Sequence, residues 1–441
     1  MMTNLRSSPA HNAAFRSTAL CINALVALSI LLPLCDQLVG QDRSPAGHSW
    51  VLVGGTVYVS PAEPPIKNGV VVIQGNRIAA VGRVGSVKLP ADIEKLDCSG
   101  LTIMAGFWNS HVHFIQRKWA NVETIPAVEL SEQMTDMITR WGFTSVFDIG
   151  SAWENTRRLR DRIESGEIPG PRIRSTGEIL FPKGGVPEPR ILDVTGTMRI
   201  QLPEVQEPAE ASAAAKKLLD AGADGIKVYA ATLGRPTVFL PQSAIEAAAR
   251  EAHARGKPVF AHPQNRQGLM AAVQGGADIL AHSIPNAGQL DDVTIALMKN
   301  KGIAVIPTLK LWKYELQSDR TSQGEQFVKA GVDQVRSWVN AGGAVLFGTD
   351  VGYMHDYDTT EEYELMAQAG MNVRQILASL TTAPAQQFGE SKHLGQIAPG
   401  FTADLVVLNG DLSKDVRAFA AVRYTIRDGR PIYKASIKRW P

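Results

Sequence analysis

Cysteine is scarce in this chain of 441 residues, which contains only Cys21, Cys35 and Cys98. The first two fall within an N-terminal segment that we expect to be removed, so the mature chain would retain Cys98 alone. A single cysteine cannot form an intramolecular disulfide, which indicates a fold held by a large core rather than by covalent cross-links. Cys98 lies beside no recognisable base in the sequence, and we assign it no catalytic role.

The chain also lacks an excess of either charge, because 45 Lys and Arg residues oppose 43 Asp and Glu residues. No basic stripe with interleaved aromatic residues is present, so the sequence gives no support to nucleic-acid binding. A hydrophobic fraction of 44% with 20% charged residues is typical of a globular chain that can bury one large core and a smaller one. A small molecule is the expected partner, and assembly into a homo-oligomer stays open.

Long apolar runs are missing except near the N terminus, at residues 19–34. This run is short for a membrane span, which needs about 20 apolar residues, but it fits the core of a signal peptide. With the small residue Gly40 before the expected cleavage, we predict a signal peptide over residues 1–40 and export to the periplasm or the extracellular space. An uncleaved signal, which would be the only membrane contact, and a lipoprotein at Cys35 are the alternatives.

Two β-rich segments flank the body of the chain. Short apolar runs alternate with turn residues over residues 50–81, and residues 403–408 and 422–426 show a similar pattern. Each flank is too small to bury a core by itself. We therefore predict one small β-sandwich domain assembled from residues 49–104 and 395–436.

Between the flanks, apolar strand-like runs alternate with stretches of helical period, which is typical of an α/β fold with a parallel sheet. Eight strand candidates can be counted, at residues 101–107, 144–149, 172–177, 225–229, 258–261, 278–281, 303–308 and 344–348. Eight such units favour a TIM (β/α)8 barrel, predicted over residues 105–394. A doubly wound open sheet is the rival architecture, but no Gly-rich phosphate loop follows the first strand.

A histidine pair, His111 and His113, follows the first predicted strand. Alternation along an extended strand places both imidazoles on the same face, where they can chelate one metal ion. The pair alone is a weak signal, because two polar residues at a strand end often form only a polar rim.

Four further polar residues end or nearly end later predicted strands: Lys227, His262, His282 and Asp350. The C-terminal strand ends of a TIM barrel form its active-site face, so these side chains would point toward the histidine pair. Each one could separately be an ordinary polar strand end. Their joint occurrence on five strands favours a common site.

Together with residues 105–113 and 347–350, these positions resemble the amidohydrolase superfamily, in its binuclear subtype with a bridging carboxylated lysine. The resemblance extends over nearly the whole chain after about residue 49, and it is nearest to the imidazolonepropionase-like and prolidase-like branches. Asn109 departs from the family pattern, which usually has an aspartate there, so a contact behind the metal ligands is expected to change. Lys227 argues against true imidazolonepropionase activity, because those enzymes are mononuclear and lack this lysine.

The resemblance implies two divalent metal ions, for which zinc is the favoured identity. It assigns His111, His113 and Asp350 to one ion and His262 and His282 to the other. A carbamate formed from carbon dioxide on Lys227 would bridge the two ions. The implied enzyme is a hydrolase of carbon–nitrogen bonds that uses a hydroxide bridging the metals, with Asp350 as the catalytic base.

Substrate recognition is left to the loops. Tyr229, Arg117 and Lys310 lie near predicted strand ends and could anchor a carboxylate, so we expect a small amide or dipeptide that carries one. Two alternatives stay open: a binuclear esterase or lactonase on the same site, and a catalytically silent binding relative. Silence predicts missing metal ligands, and none of the six is missing from the sequence.

Overall fold

The protein is described here from a computed structural model over residues 49–89, 93–196, 202–232, 236–316 and 322–436. The predicted signal peptide, residues 1–40, lies outside these ranges. Within them, no helix has both the length and the apolarity that a membrane crossing requires.

An eight-stranded sheet is built from both ends of the described chain. Its strands are β1 (Trp50–Val57), β2 (Ile66–Gln74), β3 (Arg77–Arg83), β4 (Glu94–Asp97), β5 (Leu101–Ala105), β16 (Leu405–Asn409), β17 (Val422–Arg427) and β18 (Arg430–Lys434). Their order is β18-β17-β16-β5-β1-β2-β3, and β4 pairs with β1 in parallel. The two chain ends meet where β5 and β16 pair antiparallel, with Leu405 opposite Ala105. A separate apolar cluster that includes Leu52, Ile103 and Val407 packs on this sheet.

The remaining body of the chain contains eight parallel strands in series. They are β6 (Phe107–Val112), β7 (Phe143–Asp148), β8 (Arg172–Ser175), β11 (Ile226–Tyr229), β12 (Val259–His262), β13 (Ile279–Ala281), β14 (Ala304–Ile306) and β15 (Ala344–Val345). Strands β6 to β8 form one parallel sheet and β11 to β15 another. A short parallel pair, β9 (Phe181–Pro182) and β10 (Glu204–Val205), lies apart from both.

Backbone hydrogen bonds link the two parallel sheets at both of their edges. Leu180, which follows β8, donates to the carbonyl oxygen of Lys227 in β11 at 2.9 Å. At the other edge, Ser110 in β6 donates to the carbonyl oxygen of Phe347, which follows β15, at 2.7 Å. The eighth strand is thereby joined to the first, and the carboxyl ends of all eight strands lie on the same side.

Twelve α-helices occur in the described ranges, and most of them lie between consecutive parallel strands. They are α1 (Ala127–Met137), α2 (Trp153–Glu164), α3 (Glu188–Thr195), α4 (Pro208–Asp220), α5 (Gln242–His253), α6 (Arg266–Gln274), α7 (Asp292–Asn300), α8 (Leu309–Glu315), α9 (Ser322–Asn340), α10 (Thr360–Gln368), α11 (Val373–Leu380) and α12 (Thr382–Gln387). Side-chain caps fix several of their starts: Asp291 Oδ1 accepts from the backbone N–H of Thr294 at 2.8 Å, for example. Alanine-rich α5 buries one face and ends shortly before Gly256.

The prediction that residues 101–107 form the first parallel strand is wrong. Residues Leu101–Ala105 belong to the eight-stranded sheet as β5, and the first parallel strand begins at Phe107. The chain changes sheets at Gly106, where a Cβ atom would lie 2.2 Å from Oγ1 of Thr144. The apolar run continues through this position without a break, so hydrophobicity alone could not reveal the change.

An aromatic cluster fills the interior between the parallel strands. The rings of Phe147 and Phe260 lie 4.7 Å apart, and those of Trp108 and Phe388 lie 5.3 Å apart. All four side chains are buried. Such close packing gives the strand ends a rigid base from which polar side chains can be aimed.

Candidate active site

Six predicted ligands occupy the carboxyl ends of five parallel strands. His111 lies in β6 and His113 directly after it, Lys227 lies in β11, His262 ends β12, His282 follows β13 and Asp350 follows β15. All six side chains line one cavity, and each is buried. The structure therefore brings together residues that are separated by up to 239 positions in the sequence.

The tightest contact group consists of His111, His113 and Asp350. Nε2 of His111 lies 3.2 Å from Nε2 of His113, so the two imidazoles do share one face. Oδ1 of Asp350 lies 3.0 Å from Nε2 of His113 and 3.2 Å from Nε2 of His111. Three atoms that can each offer a lone pair thus converge within hydrogen-bond distance.

Burial sets the charge state of this group. It lowers the pKa of His111 to about 3, although the Asp350 carboxylate opposes the shift. Burial would raise the pKa of Asp350, but the neighbouring His111 and His113 outweigh it and hold that pKa well below its usual range. A neutral imidazole beside an ionised carboxylate is the ligand state that a divalent cation requires.

The donor set fits a metal ion. A neutral imidazole has one unprotonated ring nitrogen, so His111 can offer a lone pair to a cation together with the ionised carboxylate of Asp350. Ligand atoms of His111, His282 and Asp350 all lie within 4.8 Å of one another. Imidazole nitrogens with a carboxylate oxygen match the preference of zinc and similar divalent ions.

The other two histidines each contact a polar side chain, from the loop directly after β12 for His262 and from the loop after β14 for His282. Nε2 of His262 contacts Oε1 of Gln264 at 2.8 Å, while its buried Nδ1 has no hydrogen-bond partner among the described residues. Nδ1 of His282 contacts Oγ1 of Thr308 at 2.6 Å, which leaves Nε2 facing Oδ2 of Asp350 at 4.0 Å. Burial lowers the pKa of His262 to about 4 and that of His282 well below its usual value.

Lys227 is buried in the same cavity, with 1% of its surface exposed. Burial lowers the pKa of its ammonium to about 7, although the Asp350 carboxylate opposes the shift. A substantial fraction of the amine is therefore neutral near neutral pH. This is the form that can react with carbon dioxide.

Close backbone packing fixes the position of Asp350. A Cβ atom on Gly348 would lie 2.8 Å from Cβ of His111, and one on Gly352 would lie 1.7 Å from the carbonyl oxygen of His113. Only glycine permits this approach of the loop after β15 to the histidine strand. The backbone N–H of Asp350 in turn donates to the carbonyl oxygen of His111 at 2.9 Å.

Asn109, the departure from the family pattern, connects the first and last strands behind the ligands. Its Nδ2 donates to Oγ1 of Thr349 at 2.7 Å, and its Oδ1 accepts from the backbone N–H of His111 at 3.2 Å. The side chain is completely buried. It supports the backbone that carries His111 and Asp350 without itself lining the cavity.

Asp148, at the carboxyl end of β7, is a site residue that the sequence analysis missed. Its carboxylate accepts from the hydroxyls of Ser151, Ser175 and Thr156 at 2.6, 2.8 and 3.1 Å. Oδ1 of the same carboxylate lies 3.9 Å from Nδ1 of His113. An acidic residue at the end of an otherwise uncharged, buried strand was the signal that could have identified it.

The three residues proposed as substrate anchors occupy different environments. Tyr229 lines the cavity and stacks on His262, with ring centroids 4.1 Å apart. Arg117 is exposed and outside the cavity wall. Lys310 is buried, but its ammonium donates to Oδ2 of Asp356 at 2.8 Å and points away from the wall. Only Tyr229 is therefore positioned to contact a molecule in the cavity.

The rest of the cavity wall is largely apolar. It is lined by Ile115, Ile179, Phe181, Val194, Leu202, Leu311, Trp312 and Tyr353, among others. Lys227 is the one lysine or arginine among the described residues that line the cavity. The cavity thus combines a compact polar centre with a hydrophobic surface for the remainder of a ligand.

Fold and site together define an α/β protein whose parallel strands present histidine, lysine and aspartate side chains to one cavity. The sequence profile of the amidohydrolase family matches residues 102–432, about three quarters of the chain. The chain belongs to the amidohydrolase family, and it is accordingly an enzyme of the class that hydrolyses carbon–nitrogen bonds.

Individual relatives agree with this assignment. Ochratoxinase from Aspergillus niger is 25% identical over 444 residues, which cover 88% of this chain and 88% of that protein. Imidazolonepropionase from Porphyromonas gingivalis is 23% identical, with 91% of this chain and 96% of that protein covered. A structure from Bifidobacterium longum, provisionally identified as a prolidase, is 26% identical with a TM-score of 0.74 and covers 90% of this chain and 97% of its own. The predicted amidohydrolase superfamily is confirmed, and the relatives include an imidazolonepropionase and a prolidase-like structure, as the resemblance implied.

Proposed function

We propose that this chain is a binuclear metal-dependent hydrolase that cleaves the carbon–nitrogen bond of a small amide or peptide-like substrate. The observation that carries the proposal is the convergence of His111, His113 and Asp350, with His262, His282 and Lys227 on the walls of the same cavity. In this proposal the joined series of parallel strands is a TIM (β/α)8 barrel, and the eight-stranded sheet is the small β-sandwich domain built from both chain ends.

His111, His113 and Asp350 would hold one divalent ion, His262 and His282 the other, and a carbamate on Lys227 would lie between them. The neutral amine of Lys227 adds to carbon dioxide and loses a proton, which converts the side chain into an anionic oxygen ligand. Zinc is the proposed metal because imidazole and carboxylate ligands suit it. When bound, the ions polarise the scissile carbonyl and lower the pKa of a water toward about 7.

Asp350 is the proposed base. Its ionised carboxylate takes the proton that the attacking water loses as the oxygen adds to the carbonyl carbon. The same carboxyl group then delivers this proton to the nitrogen as the carbon–nitrogen bond breaks, giving a carboxylic acid and an amine. A substrate packed on the apolar wall would displace bulk water, which strengthens each of these charge interactions.

The proposed substrate is a small amide with an apolar group that packs on the hydrophobic wall. Tyr229 beside His262 and Trp312 beside His282 are the aromatic contacts nearest the ligands. A carboxylate on the substrate remains part of the proposal, but Arg117 and Lys310 are not its anchors in this structure. Export after cleavage behind Gly40 also remains a proposal.

Metal analysis of the purified mature chain, followed by a substrate screen, tests this function. We expect two ions per chain and turnover of dipeptides or N-acyl amino acids that have apolar side chains. Turnover of lactones or esters alone would favour the alternative of a binuclear esterase or lactonase. A metal-replete protein that turns over neither class would favour a silent binding relative.

A further inference from the structure

Thr308 follows β14 and immediately precedes α8, in a backbone conformation that threonine rarely adopts. Its φ and ψ are +41° and +53°, in the left-handed region, and its side chain is completely buried. A β-branched residue is strained there, because its Cβ substituents crowd the backbone. Strain of this kind persists where the surrounding structure enforces it, often at a functional site.

Thr308 also does not make the hydrogen bond that a threonine at this position normally makes. A threonine that precedes a helix usually caps it by accepting from a backbone N–H of the first turn. Here the hydroxyl makes no such bond and instead contacts Nδ1 of His282 at 2.6 Å. The strained backbone therefore coincides with a side chain turned from the helix toward a proposed metal ligand.

Glu362 of α10 caps α8 in place of Thr308. Its two carboxylate oxygens accept from the backbone N–H groups of Leu309 and Lys310 at 3.0 and 2.8 Å. Glu362 has no exposed surface. A carboxylate from a different helix thus satisfies the donors that Thr308 leaves unpaired, which is why Thr308 can face His282 without loss to the helix start.

We propose that Thr308 is a positioning residue that fixes the ring orientation and tautomer of His282, and that Glu362 makes this orientation possible by capping α8. With the proton on Nδ1 donated to Oγ1 of Thr308, Nε2 presents its lone pair toward Asp350 across the cavity. This inference rests on the proposed function, because it gives His282 the role of a metal ligand.

Four variants of the full chain separate positioning from a structural role. Thr308→Ser retains the hydroxyl, and Thr308→Ala removes it. Thr308→Gly removes it and also relieves the backbone strain, since glycine adopts positive φ readily. Thr139→Ala is the matched control, because Thr139 is equally buried but its hydroxyl has no hydrogen-bond partner among the described residues.

Zinc affinity is measured by equilibrium dialysis with elemental analysis, and thermal stability is measured on metal-free protein. We expect Thr308→Ala and Thr308→Gly to lose about 10–100-fold in zinc affinity, while Thr308→Ser and Thr139→Ala stay within about threefold. Metal-free Thr308→Gly should melt above Thr308→Ala, yet bind zinc as weakly. If zinc affinity instead followed thermal stability across the series, the hydroxyl would be structural and the proposal would be overturned.

The tautomer of His282 is read on metal-free protein labelled with ¹⁵N-histidine, and its signals are identified by their loss in His282→Gln. We expect a proton on Nδ1 in the parent and in Thr308→Ser, and a mixture of tautomers in Thr308→Ala. An unchanged tautomer in Thr308→Ala would overturn the proposal. A parent that bound no zinc would refute the proposed metal centre, whereas the tautomer comparison would still decide the role of Thr308.

Discussion

Replacement of Asp350 by asparagine tests the chemistry proposed for the site most directly. Asparagine keeps the shape and one oxygen of the side chain but removes its charge and basicity. In the parent, Oδ1 of Asp350 lies 3.0 Å from His113 and 3.2 Å from His111, and only 4% of the residue is exposed. The one other carboxylate among the described residues that line the cavity is Glu315, which accepts from the hydroxyl of Tyr353 at 2.7 Å. Among the described residues, Asp350 is therefore the one carboxylate that contacts both His111 and His113.

The expected loss of turnover follows from the proton transfer that is proposed for Asp350. General acid–base catalysis contributes about 10²–10⁴-fold, or roughly 2.7–5.5 kcal/mol of activation free energy. Because its neighbours hold the pKa of Asp350 well below the usual range, the residue is an ionised carboxylate at neutral pH. An amine leaves poorly unless it is protonated, whereas a nitrophenolate leaves unaided. Turnover of amides should consequently fall at least about tenfold further than turnover of nitrophenyl esters.

The assay compares amide and ester turnover in metal-replete Asp350→Asn and parent, with metal content determined on the same samples. Asp278→Asn is the control, because Asp278 precedes β13 at the opposite end of the strand and pairs with His253 at 2.9 Å. The Asp278→Asn variant should retain both amide and ester turnover. Equal losses for amides and esters in the Asp350 variant, or losses that track its metal content, would refute the proton transfer.

Three further predictions follow from other parts of the chain. Lys227→Ala should lower the metal content from two ions toward one, with partial recovery in added short-chain carboxylic acids that can replace the carbamate; elemental analysis showing one ion in the parent would contradict the binuclear centre. Burial raises the pKa of Glu362 from 4.5 to about 7, so its contribution to stability is fully present below about pH 4.5 and is lost as the pH rises through 7. Glu362→Gln stays neutral, so between pH 5 and 8 the parent should lose roughly 2.5 kcal/mol more unfolding free energy than the variant, measured in urea, and parallel pH profiles would argue against this shift. Export predicts a mature protein that begins near Gln41, which intact-mass measurement of secreted material checks; recovery of the full chain from membranes would exclude cleavage.

That the six proposed metal ligands share one cavity could be predicted from the sequence, because their positions obey a rule that survives tertiary folding. A polar residue directly after a short apolar run in a β/α series lies at a carboxyl strand end, whatever the details of packing. His262 and His282 are examples, since each stands within one residue of the end of its strand. Asp148 obeys the same rule at the end of β7, but it was hidden inside the run that defined the strand.

The substrate contacts could not be predicted, because partners distant in sequence decide where a loop side chain points. Lys310 follows β14 closely, yet Asp356, 46 residues later, draws its ammonium away from the cavity. The hydrophobic wall is assembled from loops after several strands and has no local pattern. Thr308 resisted prediction for a related reason: its role depends on Glu362, which no spacing rule connects with it.

Four consecutive loops that begin at the site each contain a residue other than glycine with a positive φ, which strains the backbone. Gln264, His282, Thr308 and Asp350 have φ values of 60°, 74°, 41° and 61°, each in the region that favours glycine. Such a conformation costs about 1–2 kcal/mol for a residue other than glycine. Glycine would relieve the strain at each position, but it would delete a side chain that contacts or forms the ligand group. The chain tolerates this cost because the aromatic interior below holds the strand ends rigid, so that strained turns still direct their side chains to one point. At these four residues the geometry of the site therefore costs stability. Substitutions there should separate effects on stability from effects on site geometry more clearly than substitutions elsewhere in the cavity.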